Sequence, residues 1–132
     1  TGVQTCALPI STRGQSAIFG IPGNPVSAFV GCYLFVLDAI YALAGKIRAK
    51  RRIIASLGND VKKPSHLEMY QRGNLVTEKL EQKVYTNLNQ SSGALGALAS
   101  ADCLVVLPAG VESVRQGEPV EVLPFYDGTN WN

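Results

Sequence analysis

Chemistry-bearing residues are sparse in this chain. It holds one histidine and three cysteines, Cys6, Cys32 and Cys103, which lie far apart and form no C-x-x-C pair. Neither a metal knuckle nor a disulfide framework follows from them, and both absences fit a reducing cytoplasm. His66 follows a Lys-Lys-Pro-Ser loop with no carboxylate at a telling spacing, so no catalytic role attaches to it. Glu112, Glu118 and Glu121 read as solvent-facing strand and turn residues. No pair of acids is set for general acid/base work, and no acidic cluster is suited to Mg²⁺. A net charge of +2 is too small to demand a polyanionic partner. The Walker A pattern and G-x-G-x-x-G are both missing. No basic n-region precedes an apolar stretch, which argues against a secretory signal.

Two features test these exclusions. Lys46, Arg48, Lys50, Arg51 and Arg52 fall within seven positions. No aromatic residue interleaves with them as a single-strand platform requires, so they read as cations near a helix C-terminus and in a solvated linker, not as a nucleic-acid patch. Residues 14 to 37 carry no charge, but Pro22-Gly23-Asn24-Pro25 interrupts them. Only the twelve residues from Val26 to Leu37 precede Asp38, too few to cross a bilayer. A core helix is expected instead.

What is present is a core. Apolar residues make up 46% and charged residues 17% of 132 residues, which describes a globular chain of about one domain or two small pieces. Ala17 to Ile21 is a short apolar run read as a buried strand, and Pro22-Gly23 stops it. Asn24 is placed to cap a helix, with Pro25 at the first helical position where its missing N–H costs nothing. The amides of Val26 and Ser27, the Ser27 hydroxyl and the bare backbone at Gly23 then form an expected phosphate or carboxylate seat. An ordinary capped turn that binds nothing is the alternative.

The helix is expected from Pro25 to Ala44, with Gly45 beyond its C-terminus. It is apolar on most faces, and its cover is expected from an upstream sheet or a dimer partner. Strands are expected at Ile53–Leu57, within His66–Val76 with a bend at Gly73-Asn74, at Val84–Leu88, at Cys103–Leu107 and at Pro119–Phe125. A short helix is expected over Gly93–Ala101, capped at Ser91 or Ser92. Strands at this spacing suggest a small barrel or sandwich. Arg72, in a polar break, is read either as a bidentate phosphate ligand or as a solvated turn arginine. Ser92 is either a ligand donor or an ordinary cap.

Ile21-Pro-Gly-Asn-Pro-Val-Ser-Ala-Phe-Val30 resembles the signature late in the molybdopterin molybdenumtransferase (MoeA/gephyrin E-domain) family. Tyr70-Gln-Arg-Gly73, Gln90-Ser-Ser-Gly93, Ala101-Asp-Cys-Leu-Val-Val-Leu-Pro108 and Gly117-Glu-Pro-Val-Glu-Val122 follow in family order. The resemblance implies a C-terminal fragment: the strand-turn-helix end of a MogA-like domain, then a small all-β C-terminal domain IV. Residues 1–11 are expected to be a non-native leader, 12–48 the MogA-like remnant, 49–126 the β domain and 127–132 a tail.

The family inserts molybdate into adenylylated molybdopterin with Mg²⁺ present, releasing AMP. Carried over, Pro22, Gly23, Asn24, Pro25 and Ser27 hold the substrate phosphate, and Arg72 and Ser92 complete the pocket. The metal-binding acids have no counterpart here, so the fragment alone is expected to be inactive. The resemblance also implies a cytoplasmic homodimer, with a MogA-like adenylyltransferase as a further partner. A non-enzymatic, gephyrin-like scaffold is the alternative.

Overall fold

The computed structural model describes residues 10–86 and 99–126. Strands β1 (Ile10–Arg13) and β2 (Ser16–Phe19) form an antiparallel hairpin. Arg13 pairs with Ser16, so Gly14 and Gln15 make a two-residue loop, with Gly14 at φ +61° where a side chain would be strained. The strand expected to be buried is in fact exposed along nearly its whole length. Among the described residues only β1 flanks it, and one hairpin neighbour leaves both faces open. Of the expected leader, Ile10 and Ser11 belong to β1, and the remaining nine residues lie outside the described ones.

Helix α1 (Pro25–Gly31) opens after Asn24, continues through a π-helical segment at Cys32–Val36, and resumes as α2 (Leu37–Leu43). Its end is a Schellman motif. Gly45, at φ +70°, donates its N–H to the Ala42 carbonyl, and the Lys46 N–H reaches the Tyr41 carbonyl. Asp38 does not break the helix. Pro25–Leu43, at 19 residues, is therefore long and apolar enough to span a bilayer by length and composition, more than the twelve-residue estimate allowed. Its packing shows what this helix does instead.

The second part is a closed barrel in the order β3-β6-β5-β7-β9, which resolves the barrel-or-sandwich choice. Its strands are β3 (Ile53–Leu57), β5 (Met69–Glu78), β6 (Glu81–Tyr85), β7 (Cys103–Leu107) and β9 (Pro119–Pro124). All neighbours are antiparallel except β3 and β6, which run parallel. A small ladder of β4 (Val61–Lys62) and β8 (Ser113–Val114) sits beside it.

No break occurs at Gly73-Asn74. There β5 passes from pairing with β7 (Met69 to Gly73) to pairing with β6 (Asn74 to Glu78), and the stagger that closes a barrel stands where a bend was expected. The strand expected at Val84–Leu88 begins earlier, at Glu81, because β5 and β6 are joined by a tight hairpin. The helix expected over Gly93–Ala101 lies mostly outside the described residues.

That hairpin carries strain. Glu78 pairs with Glu81, and the two loop residues Lys79 (φ 48°) and Leu80 (φ 71°) are both left-handed although neither is glycine or asparagine. Leu80 is also 99% exposed. Replacing Lys79-Leu80 by Asn-Gly is expected to stabilise the barrel by about 1 kcal/mol, which is roughly 4–8 °C in Tm for a domain of this size. A thermal melt reads it. An unchanged or lowered Tm would mean that the loop conformation is not costly.

The continuous apolar run Cys103–Leu107 is explained by two cores. Cys103, Val105 and Leu107 point into the barrel with Ala55, Leu57, Met69, Val84, Val120 and Val122. Leu104 and Leu123 face outward and pack with Val30, Tyr33 and Leu34 of the helix, edged by Phe29, Leu37, Tyr70, Val106 and Phe125. Phe29 and Tyr33 each meet the Phe125 ring edge-on, at 5.1 and 5.2 Å between centroids. The Tyr33 hydroxyl donates to the Pro124 carbonyl at 2.9 Å.

The barrel wall therefore covers one face of the helix, and the expectation that cover must come from elsewhere is corrected to that extent. The opposite face, with Phe35, Ile40 and Leu43, is exposed. A helix docked along one side by rings, leucines and a hydrogen bond behaves as the packed helix of a globular unit.

Candidate functional site

The loop from Pro22 to Ser27 has the predicted capping chemistry, and that chemistry limits what the loop can bind. Asn24 sits in extended backbone, and its Oδ1 accepts from the amides of Val26 at 3.0 Å and Ser27 at 3.3 Å. The Ala28 amide reaches the Asn24 carbonyl at 2.8 Å, and Pro25 has no amide to offer. Every amide of the first turn is thus occupied. This corrects the expectation that the Val26 and Ser27 amides are free: the residue that caps a helix also consumes the donors an anion would use. An anion at this loop must meet the Ser27 hydroxyl, the backbone around Gly23 and the positive end of the helix, or displace the Asn24 side chain.

Gly23 is the informative position. Its φ lies outside the left-handed region, and a Cβ built there meets nothing within 4 Å. Neither conformation nor crowding in this chain calls for glycine, so the open backbone is accessible to a ligand.

Arg72 is not a turn residue. It lies in the middle of β5, paired with Leu104 of β7, which is in turn paired with Leu123 of β9. Residues directly opposite in antiparallel strands share a face, so the guanidinium stands in one row with the two leucines that hold the helix. Arg72 is 1% exposed, and burial lowers its pKa below the usual arginine value. Its cross-strand neighbour Leu104 packs against the helix begun by the Asn24 cap, so Arg72 lies on the barrel face that this helix meets. Tyr70, two residues earlier on that face, donates to Glu68 Oε1 at 2.6 Å. Burial, helped by that carboxylate, pushes its pKa up to about 12. It stays a neutral donor at physiological pH.

Ser92, with the rest of Gln90–Gly93, lies outside the described residues. Among the described residues, the helix that the capped loop begins and the barrel face that carries Arg72 share a hydrophobic seam. Sequence reading missed the part played by Arg48 and Lys50. Both were expected to be solvated, yet each donates to a carbonyl within the π segment, Arg48 to Tyr33 and Lys50 to Leu34. The available signal was Asp38, a lone acid in an otherwise uncharged helix, which both cations also meet.

Among the described residues, no three His, Cys, Asp or Glu side chains converge on a point that could hold a metal ion. His66 and Glu112 are exposed, Glu118 accepts from the Arg115 amide, and Glu121 pairs with Arg52. The described residues do not fit Mg²⁺.

Cys103 is structural. It is fully buried, and burial, followed by the neighbouring Asp102, pushes its thiol far above the usual value. The folded state therefore keeps this proton more tightly than the unfolded state does. Its contribution to stability is complete below the unfolded thiol pKa of about 8.5 and is lost progressively above it. Raising the pH from about 7 to about 9.5 is expected to cost the wild type about 1 kcal/mol more than it costs Cys103→Ala. Urea midpoints at the two pH values measure the difference. Parallel pH profiles would show that the thiol does not titrate on unfolding.

Three comparisons bear on this site. The family model for the MoeA C-terminal region (domain IV) matches residues 55–125, more than half of the chain. A molybdopterin molybdenumtransferase of Synechococcus elongatus is 33% identical over 113 residues, covering 86% of this chain and 27% of the relative. The molybdenum cofactor synthesis protein cinnamon of Drosophila melanogaster is 34% identical over 120 residues, covering 89% of this chain and 20% of its own. Among solved structures, a molybdopterin biosynthesis MoeA protein from Pyrococcus horikoshii superposes with a TM-score of 0.69 at 27% identity. It covers 89% of this chain and 28% of that one. The chain thus spans about a quarter of the length of these relatives.

Proposed function

The chain belongs to the MoeA C-terminal-region family, and from that premise we propose that it forms one part of a molybdopterin-binding site in a molybdopterin molybdenumtransferase. The substrates of that reaction are molybdate and adenylylated molybdopterin. In this reading Gly23 and Ser27 receive the substrate phosphate at the mouth of α1, with Asn24 and Pro25 shaping the turn and Pro22 ending the strand before it. Arg72 supplies fixed positive charge from the barrel side, and Ser92 adds a hydroxyl.

The work of these groups is binding and orientation. Donors and a cation held in place before the substrate arrives stabilise negative charge without reorganising. The observation that carries the reading is the buried Arg72, on the barrel face covered by the helix that the Pro22–Ser27 loop begins. The residues given roles here bind and do not transfer groups, so the chain alone is proposed to be inactive. A cytoplasmic setting, homodimer formation and contact with a MogA-like adenylyltransferase belong to the same proposal.

Turnover tests it. A form extended to the length of the relatives, given adenylylated molybdopterin, Mg²⁺ and molybdate, is expected to release AMP, whereas the 132-residue chain is not. No AMP from the extended form would remove the activity.

A further inference from the structure

The π segment at Cys32–Val36 interrupts the helix where it faces the barrel. A π turn shifts the hydrogen-bond ladder by one residue and leaves carbonyl capacity for other donors. Here those donors come from the connector that leads to β3. The Arg48 guanidinium donates to the Tyr33 carbonyl and stacks 4.4 Å over the Tyr33 ring. The Lys50 ammonium donates to the Leu34 carbonyl at 2.9 Å. Asp38, one turn on, meets both cations: Arg48 at 3.2 Å, and Lys50 directly. Both cationic side chains are largely buried, at 11% and 21% exposed. The Tyr33 hydroxyl meanwhile donates to the Pro124 carbonyl at the end of β9. Helix, connector and barrel are thus tied at one place.

We infer that Asp38, Arg48 and Lys50 form a clasp that holds the helix at a fixed orientation on the barrel. The clasp thereby positions the Pro22–Ser27 loop relative to the face bearing Arg72. The second half of this inference rests on the proposed site; the first does not. Two cations brought this close require the anion between them, so Asp38 is the residue on which the arrangement turns. None of the three touches the substrate in this account. They are positioning residues.

Hydrogen exchange on the full chain tests the clasp whatever the loop binds. In Asp38→Asn, amides of 28–43 are expected to exchange about three- to tenfold faster, while those of Cys103–Leu107 keep their wild-type rates. Lys50→Arg, which keeps a cation on Asp38, is expected to exchange like wild type. Unchanged helix exchange in Asp38→Asn, or an equal rise in helix and barrel, would overturn the clasp. The positioning role has its own readout. Molybdopterin affinity of the extended form is expected to fall in Asp38→Asn and to survive in Lys50→Arg. If the helix loosens and affinity holds, the clasp stands and its link to the site is overturned. If wild type itself fails to bind, the site reading falls and the exchange result is untouched.

Discussion

Gly73→Val is expected to unfold the barrel. A Cβ at Gly73 would lie 2.9 Å from Val84 Cγ2, 3.0 Å from Val105 Cγ2 and 3.2 Å from the Tyr85 carbonyl oxygen. Val84 and Val105 are fully buried, and the third neighbour is backbone, so none of the three can swing aside. The φ of Gly73 is not left-handed, which means that the glycine is there for room and not for conformation.

Overpacking by a single methyl in a tight core costs about 1–3 kcal/mol. Valine adds two more carbons, and a loss of about 4 kcal/mol or more is comparable with the whole stability of a small domain. Gly73→Ala should fold with a lowered Tm, and Val105→Ala should restore part of it by making space. Gly58 provides a contrast. The three atoms nearest to a Cβ there all belong to the Tyr85 ring, and a partly buried side chain can rotate away at smaller cost than backbone or a packed valine. Circular dichroism melts decide between these cases. A Gly73→Val chain melting like wild type would mean that the strand register around the barrel is wrong.

Gly23→Val is expected to do the opposite. Nothing lies within 4 Å of its Cβ direction, and its φ suits any residue. Stability should stay within about 0.5 kcal/mol of wild type, as for surface substitutions away from special features. In a form extended to the relatives' length, molybdopterin affinity should fall about tenfold or more, because an isopropyl group would occupy the space that the phosphate needs. Equal Tm with weakened binding separates a ligand seat from an ordinary turn. Equal Tm with wild-type affinity would make the loop a capped turn and nothing else.

The local chemistry of this chain was legible where one residue decides it. Asn24, Pro25 and Gly45 fixed the two ends of the helix, and Cys103–Leu107 declared itself as a buried strand through unbroken apolar character. What depends on distant pairing was not legible. Gly73 looks like a bend in sequence, and it is a point of close approach between strands remote from it in the chain. The left-handed hairpin at Lys79-Leu80 gave no sign, because it uses residues that ordinarily avoid that conformation.

At the site, the residue types of the loop were readable, but the competition between cap and ligand for the same amides appears only with coordinates. Arg72 reads as polar in sequence and is buried in fact. The helix that packs on its cross-strand partner Leu104 ends at Leu43, 29 residues earlier in the chain. The basic cluster similarly looked like linker solvation until the π segment supplied carbonyls for two of its members.

The most direct test of the central claim, that the loop and the Arg72 face form one phosphate site, is a molybdopterin titration of the extended form. Wild type would be set beside Ser27→Ala and Arg72→Lys. The account predicts saturable binding by wild type, and a loss of about three- to tenfold for Ser27→Ala, the magnitude of one hydroxyl hydrogen bond. A larger loss is predicted for Arg72→Lys, which keeps the charge but not the planar two-pronged donor set. Wild-type affinity in both variants would contradict the account and leave the loop and the buried arginine as structural features of the fold.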